Sequence, residues 1–371
     1  MDARLLSRQI TGLGRYTWEV CRALSNIKDV TLYLYSPSPI NNSVSGLESV
    51  TIRTHSWNNG LLRQLWSESY LPLWAKEDEI DVFWGPSHRL PRFLSSRIAR
   101  VVTIHDLVWK LAKETMHPAT YFLEKIQMPV AVRKADLIVA DTYSTRDAVI
   151  TEFDVKPQNI SVIPLAASNI QNIPSFDLLK KYDIDGLYFL FVGTLEPRKN
   201  LTRLLQAYDS LPLSIKGKMK LVIVGGKGWG EVNLLDTITQ LDLIECVKVL
   251  GRVDDTVLAT LYANAQFLVM PSLYEGFGLP LVEAMSYGTP VLTANNSSMP
   301  EVAGNAGLLV DALDVESIAD GLQEMITNNE LRERLAKNAK LNASRFSWDE
   351  SAKKLITVFE KAIDLRKDKL A

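Results

Sequence analysis

Cysteine is nearly absent from this chain. Cys21 and Cys246 are the only two in 371 residues, and their separation offers neither a metal-ligand spacing nor a disulfide framework. A reducing, cytoplasmic setting is the simplest reading of that scarcity. Histidine is also sparse: His55, His88, His105 and His117 are the whole supply, which leaves few candidates for acid/base chemistry. No apolar run reaches the roughly 18 residues that a membrane-spanning helix needs, and the first residues carry no signal-peptide pattern. Charge of one sign is missing too. The 41 Lys and Arg balance 43 Asp and Glu to a net charge of −2, which gives no general pull towards nucleic acid. Repeats of solenoid period and low-complexity tracts are likewise lacking.

What is present is ordinary globular composition, 47% hydrophobic and 23% charged. A chain of 371 residues exceeds what one core usually serves, so two domains are expected. Short β-branched runs alternate with longer helical patterns, the mark of βαβ units and parallel sheets. In the first half, strands are expected at 30–36, 81–87, 100–106, 137–141 and 160–164, with helices at 14–26, 62–76, 119–134 and 143–153. In the second half, the strands fall at 188–194, 220–226, 247–253, 267–272 and 290–295. Their helices fall near 200–209, 231–241, 254–264, 279–287 and 315–327. The stretch 164–186, punctuated by Pro, Asn and Ser, marks the boundary between two similar α/β halves. Ser347 followed by Glu350 forms a capping box that opens the last helix, 347–370. The chain begins "MDARLLSRQITGLGRY", where "DAR" reads as a strand end running into a glycine loop, so the first strand is expected to be incomplete.

Three stretches carry candidate chemistry. In "PSLYEGFGLPLVEAMSYGTPVL" (271–292) a strand ends in a glycine-rich loop that opens a helix, with Pro280 in its first turn. Loop and helix N-terminus offer unpaired backbone N–H groups to phosphate or sugar oxygens. The Glu275 carboxylate can accept from sugar hydroxyls, and Glu283, a turn into the helix, from a ribose diol. The same pattern also serves a plain tight turn with acids early in a helix. In "FVGTLEPRKNLTRLLQAY" (191–208), Arg198 and Lys199 precede a helix with Asn200 as its N-cap. Two cations there suit a diphosphate, although a solvated surface pair looks the same in sequence. In "TGLGRYTWEV" (11–20), Gly12 and Gly14 form a further glycine loop opening a helix. Thr17 occupies the third position of a dinucleotide fingerprint, which argues against a dehydrogenase.

Taken together with "TIHDL", "DTYSTRDAV", "GRVDD" and "FSWDESAKKL", these stretches resemble the retaining GT-B glycosyltransferases of the large group-1, family-four type, mannosyltransferase-like members included. The resemblance runs over nearly the whole chain. It implies an α/β fold of two Rossmann-like domains facing across a cleft, with the C-terminal helix returning towards the N-terminal domain. The acceptor-binding domain is expected at 1–168, the nucleotide-sugar domain at 184–346 and the helix at 347–371.

Residue by residue, the resemblance implies that Arg198 and Lys199 hold the donor diphosphate and stabilise charge on the leaving nucleotide. Glu275 is expected at the donor sugar, with the amides of Gly276, Phe277, Gly278 and Leu279 on its hydroxyls and the phosphate. Glu283 is expected at the ribose, Val253 at the nucleobase, Thr194 beside the donor, and Gly12 and Gly14 near the diphosphate. His105 matches the family histidine that lies against the transferred sugar. Many relatives have an Arg where this chain has Gly193–Thr194, so the guanidinium comes from Arg198 instead. The "EPRKN" variant leans the donor towards GDP-mannose.

No cofactor is expected, and no metal: "DVFW" and "VDD" read as a strand start and a helix start rather than as metal ligands. The resemblance implies retention at the anomeric carbon, and without a convincing nucleophile in the sequence a front-face route is expected. The partners expected are a nucleotide-sugar donor and a glycan or lipid-linked glycan acceptor, with no nucleic acid. Arg89, Arg92, Arg97 and Arg100, interleaved with Leu90, Phe93, Leu94 and Ile98, suggest peripheral contact with the inner face of the plasma membrane. A solvated loop with snorkelling arginines is the equal alternative. Trp57, Trp66 and Trp74, near the "NNG" turn (58–60), are read as packing rather than as sugar-stacking platforms. A sugar-nucleotide epimerase or a non-catalytic nucleotide-sugar sensor would share much of this site.

Overall fold

A computed structural model describes residues 1–7, 12–40, 50–57, 59–168, 176–230 and 233–370. Thr11 of the glycine stretch, Asn58 of the turn, 169–175 of the boundary and 231–232 of an expected helix lie outside the described residues. The chain forms two compact units. The first is Met1–Leu107 with Phe122–Leu165 and Ser347–Ala371; the second is Val108–Tyr121 with Ala166–Phe346.

The first unit contains β1 (Tyr33–Ser36), β2 (Thr51–Thr54), β3 (Val82–Gly85), β4 (Ala99–Ile104), β5 (Leu137–Ala140) and β6 (Ile160–Val162). β1 and β2 pair in parallel, and β3 to β6 form a parallel sheet in chain order. Residues 1–3 lie between these two sheets. Tyr35 donates its N–H to the Met1 carbonyl, Ala3 donates to Tyr35, and Asp2 donates to Trp84 of β3.

The helix expected at 14–26 runs Gly12–Ser25, so Gly12 and Gly14 lie in its first turn rather than in a loop before it. The helix expected at 62–76 is two, Gly60–Glu68 and Tyr70–Glu77, broken at Ser69. The last helix, Trp348–Asp368, takes its N-terminal cap from Ser347, which accepts from the Glu350 N–H. Its far end is tied to Asp136, on which Arg366 donates at 2.5 Å and Lys369 at 2.9 Å.

The second unit contains β7 (Tyr188–Val192), β8 (Lys220–Val224), β9 (Val247–Gly251), β10 (Leu268–Met270), β11 (Val291–Ala294) and β12 (Gly307–Val310). These six parallel strands are ordered β12-β11-β10-β7-β8-β9. Every residue of β7, β10 and β11 is buried, as in a sheet covered on both faces. Phe189 stacks on Phe267 at 5.1 Å and meets the edge of Tyr208 at 5.2 Å in the core. The strand order reverses between β7 and β10. At such a switch point the connections leave in opposite directions, and the crevice at the strands' carboxyl ends takes ligands. The loops that open there are 193–200 and 271–278.

Among the described residues, no helix is long and apolar enough to cross a membrane. Three of the four apolar residues expected on a basic, membrane-facing stretch are instead core. Leu90, Leu94 and Ile98 are buried, and only Phe93, 72% exposed, faces out. The Arg89 guanidinium lies 3.7 Å from Glu124, and that of Arg100 donates to the Leu94 carbonyl. Arg92 and Arg97 are exposed. Trp66 is fully buried, while Trp57 and Trp74 are half-buried against Tyr70 and His55.

Candidate active site

Strand β7 ends at Val192, and Gly193 turns the chain out over the sheet. That turn demands small residues. A Cβ on Gly225, at the end of neighbouring β8, would lie 1.8 Å from the Gly193 carbonyl oxygen. Leu195 then bridges to Lys227 in the segment that follows β8, its N–H donating to Gly226. A single 3₁₀ turn, Pro197–Lys199, points both cations back towards the end of β10.

Asn200 holds this turn in place, though not as the helix cap expected of it. It sits at φ 62° without capping through its side chain. Its Nδ2 instead donates to the carbonyls of Pro271 and Ala312, at 2.9 and 2.7 Å, stitching the loops after β10 and β12 to the cation turn. Arg203 donates to its Oδ1.

The loop after β10 supplies the anion. Arg198 donates from Nη1 to Glu275 Oε2 at 2.6 Å, and Lys199 donates from Nζ to Oε1 at 2.5 Å. Arg198 also donates to the Tyr274 carbonyl at 2.9 Å and to Glu196 Oε1 at 2.7 Å. Lys199 and Glu275 are buried, whereas the Arg198 side chain keeps 17% exposure. Burial by itself would push the Glu275 carboxyl up. The charges of Arg198 and Lys199, with the lysine's hydrogen bond, overcome that and hold it at about 2. The two cations therefore face a permanent carboxylate rather than water.

The backbone of Glu275 is held as firmly as its side chain. Its N–H donates to Ser297 Oγ at 3.0 Å, and its carbonyl accepts from Ser298 Oγ at 2.9 Å. Ser297 has φ 47°, a left-handed turn between β11 and the helix Met299–Ala303. Gly276, Phe277 and Gly278 follow, all buried, and Gly278 stands at the N-cap of the helix Leu279–Ser286 with φ 90°. That conformation is glycine's, and a Cβ would also press 3.0 Å from Met299 Cε. The first N–H groups of this helix have no partner inside it, and its positive end lies over the glycine loop.

Glu283, one turn further, is buried and accepts from the Tyr262 hydroxyl at 2.7 Å. Thr194 is exposed at the end of β7, and Val253 is half-buried after β9. The residues 108–121, from the first half of the chain, pack in this unit, where Val108 and Ala112 form a small apolar cluster with Tyr274. Trp229 donates to the Thr115 carbonyl at 2.9 Å.

The structure thus brings together Arg198, Lys199 and Glu275, with Gly276, Phe277, Gly278, Leu279 and Glu283 following in one loop and helix. Glu196, Tyr262, Ser297 and Ser298 are the supporting residues that sequence reasoning left unassigned, and Asn200 had been assigned only as a helix cap. Glu196 stood in the quoted "EPRKN" stretch; the other contacts carry no local signal.

Gly12, Gly14 and His105 belong to the first unit. His105 directly follows β4, buried, with both ring nitrogens engaged: Nδ1 is 2.6 Å from Asp141 Oδ2 and Nε2 is 2.7 Å from the Pro86 carbonyl. Its own carbonyl accepts from Thr145 Oγ1 at 3.1 Å.

A switch-point crevice lined by a paired cation turn and a glycine loop at a helix N-terminus has the chemistry to receive a phosphate-bearing ligand. The comparisons agree. Residues 178–342 match the family described as "Glycosyl transferases group 1", and residues 10–167 match "Glycosyltransferase Family 4". The chain is 32% identical to the O-antigen chain mannosyltransferase B of Escherichia coli over 95% of its length and 96% of that protein's. The chain belongs to the group 1 glycosyl transferases. In fold it is similar to sucrose-phosphate synthase from Thermosynechococcus elongatus, with TM-score 0.77, 19% identity and 97% of each chain covered. It is also similar to WaaG, a glycosyltransferase involved in lipopolysaccharide biosynthesis, with TM-score 0.72, 18% identity and 96% of each chain covered. The fold is GT-B, and the protein is a glycosyltransferase.

Proposed function

We propose that this enzyme transfers a mannosyl residue from GDP-mannose, with retention, to a glycan or lipid-linked glycan acceptor in the synthesis of a bacterial surface polysaccharide. One observation carries the donor site: Arg198 and Lys199 converge on Glu275 at the switch point of the second unit's sheet. The similarity to an O-antigen mannosyltransferase supports the sugar and the product class.

On this reading the donor diphosphate takes the place of the carboxylate on the two cations. Glu275 is then released to accept from the hydroxyls of the donor sugar. Arg198 and Lys199 neutralise the charge that grows as the bond from the anomeric carbon to phosphate oxygen breaks, a task a metal ion performs elsewhere. The acceptor hydroxyl attacks from the same face, and its proton passes to the departing phosphate. Glu283 accepts from the ribose diol, which requires it to share or leave the Tyr262 hydroxyl. Thr194, Val253 and the amides of 276–279 complete the donor contacts. On this reading the enzyme works in the cytoplasm, and the exposed Arg92, Phe93 and Arg97 would make any contact with the inner face of the plasma membrane.

A UDP- or ADP-sugar-dependent transferase of the same fold is the main alternative; an epimerase would need acid/base groups that four histidines hardly supply. Thermal unfolding with GDP, UDP, ADP and NAD separately discriminates among these readings. GDP at about a hundred times its dissociation constant stabilises by roughly 2.7 kcal/mol. A response to UDP or ADP instead overturns the sugar, and a response to NAD alone overturns the transferase. An NMR assignment of the product's anomeric configuration tests retention.

A further inference from the structure

The first unit contains a chain of two histidine–carboxylate pairs, buried except for the half-buried Glu124. Glu124 Oε2 lies 3.2 Å from His88 Nδ1; His88 Nε2 lies 2.9 Å from the backbone nitrogen of His105; and His105 Nδ1 lies 2.6 Å from Asp141 Oδ2. Four separate places in the chain supply it: the helix Pro118–Lys134, the turn after β3, and the carboxyl ends of β4 and β5. His88 holds its place at φ 57°.

The acceptors settle where protons lie. A backbone N–H only donates, so His88 Nε2 accepts from His105, and the His88 proton is on Nδ1, facing Glu124. A carbonyl only accepts, so the contact of His105 Nε2 with Pro86 at 2.7 Å places a proton on Nε2. The 2.6 Å contact of Nδ1 with Asp141 then requires a second proton between ring and carboxyl. Asp141 and His105 together hold one proton more than a neutral imidazole and an ionised carboxylate would.

The surroundings keep it there. Asp141 and His105 are 1% and 4% exposed, and Asp141 Oδ1 has no hydrogen-bond partner among the described residues. Burial pushes the Asp141 carboxyl up, against the opposing pull of His105. The titratable neighbours are Tyr16 on the first helix, whose ring meets that of His105 edge-on at 4.6 Å, with His88, Asp106 and Glu124. Tyr16 is itself fixed by Thr103, which also accepts from Trp84 Nε1.

We propose that Asp141 is a positioning residue: it locks the His105 ring with a proton bound at both nitrogens, so His105 serves the reaction as a fixed electropositive group and not as a base. A ring in this state has no lone pair to take a proton from an acceptor hydroxyl. This rests on the proposed transfer reaction only for its consequence on rate; the extra proton in the pair stands on the contacts themselves, and its place on the ring is what is proposed.

The variant that separates charge from shape is Asp141→Asn. The amide donates from Nδ2 to Nδ1 and leaves Nε2 bonded to Pro86, so both hydrogen bonds survive while the extra proton is lost. With four histidines in the chain, selective 15N-histidine labelling gives a simple spectrum. In the wild type, one imidazole carries two slowly exchanging N–H protons, one strongly downfield. In Asp141→Asn that downfield signal disappears and the Nδ1 nitrogen reports an unprotonated site on a neutral ring, with unfolding unchanged. Turnover of the nucleotide sugar falls about tenfold or more while the donor KM stays within about twofold, the pattern of a lost orienting carboxylate. Asp141→Glu, which keeps the charge, recovers part of the rate. An Nδ1 without a proton in the wild type, or Asp141→Asn at wild-type turnover, overturns the proposal. Wild-type protein that shows the bridging proton but does not accept GDP-mannose counts against the donor assignment alone, and the turnover comparison is then made with the sugar nucleotide it does use.

Discussion

Replacing Glu275 with glutamine keeps the side chain's shape and removes its charge from between Arg198 and Lys199. The carboxyl's fall from the ordinary 4.5 to about 2 measures what the folded state gains from its ionised form, about 3 kcal/mol at about 1.4 kcal/mol per pH unit. Because the folded value is depressed, this stability is fully present above about pH 4.5 and is lost as the pH falls towards 2. Glu275→Gln should therefore lower the unfolding midpoint of the second unit at pH 7 by roughly 6–12 °C. The gap to wild type should narrow by about 1 kcal/mol at pH 4, where the unfolded glutamate already holds protons. Differential scanning calorimetry at the two pH values reads this directly. GDP should stabilise the variant at least as much as the wild type, since both cations are released for the diphosphate, while transfer is lost. A variant as stable as wild type at pH 7, or a deficit that ignores pH, would refute the reasoning.

Two further substitutions test the frame that holds these groups. Asp136→Asn removes the anion that ties Arg366 and Lys369 of the last helix to the end of the first unit's sheet. It should cost about 3 kcal/mol in urea unfolding, the low end for breaking a buried pair, because Lys369 is largely exposed; a loss below about 0.5 kcal/mol would show the tie to be idle. Gly278→Ala forces a left-handed residue and a Cβ against Met299, 3.0 Å away. A loss of about 1–3 kcal/mol is expected by thermal unfolding, with transfer impaired by displacement of the loop, and an unchanged midpoint would refute the strain argument.

Much of the second unit was legible because its central strands β7, β10 and β11 are fully buried and read as continuous apolar runs. All five strands expected there are present, as are all five helices near their expected positions. β2 and β12 were missed: one is a four-residue, largely exposed run, the other opens on Gly307 and carries an exposed Leu309. The helix Asn329–Ala343 was missed as well; its average hydropathy is polar, and what marks its start is the Asn328 side chain accepting from Leu331. The Leu90, Leu94 and Ile98 pattern misled for a different reason. Interleaved Arg and Leu on a loop have the same spacing whether the apolar side chains turn outward or, as here, into the core.

For the candidate site, residue type and local punctuation are matters of sequence. A glycine at a left-handed N-cap, a proline in a first turn and two cations beside a helix start are each dictated by short-range sterics and charge, so Gly278, Pro280, Arg198 and Lys199 were readable one stretch at a time. Which groups meet is not local. Arg198 and Glu275 are 77 positions apart, and they touch because β7 and β10 are neighbours in a sheet whose order reverses between them. That placement turned a pair read equally well as solvated surface cations into a buried ion triad. It likewise joined His105 to Asp141 across 36 residues through adjacent β4 and β5. Periodicity and turn chemistry act over a few residues and specify the elements; strand order is set by burying both faces of the sheet, and it alone decided which charges would share one desolvated site.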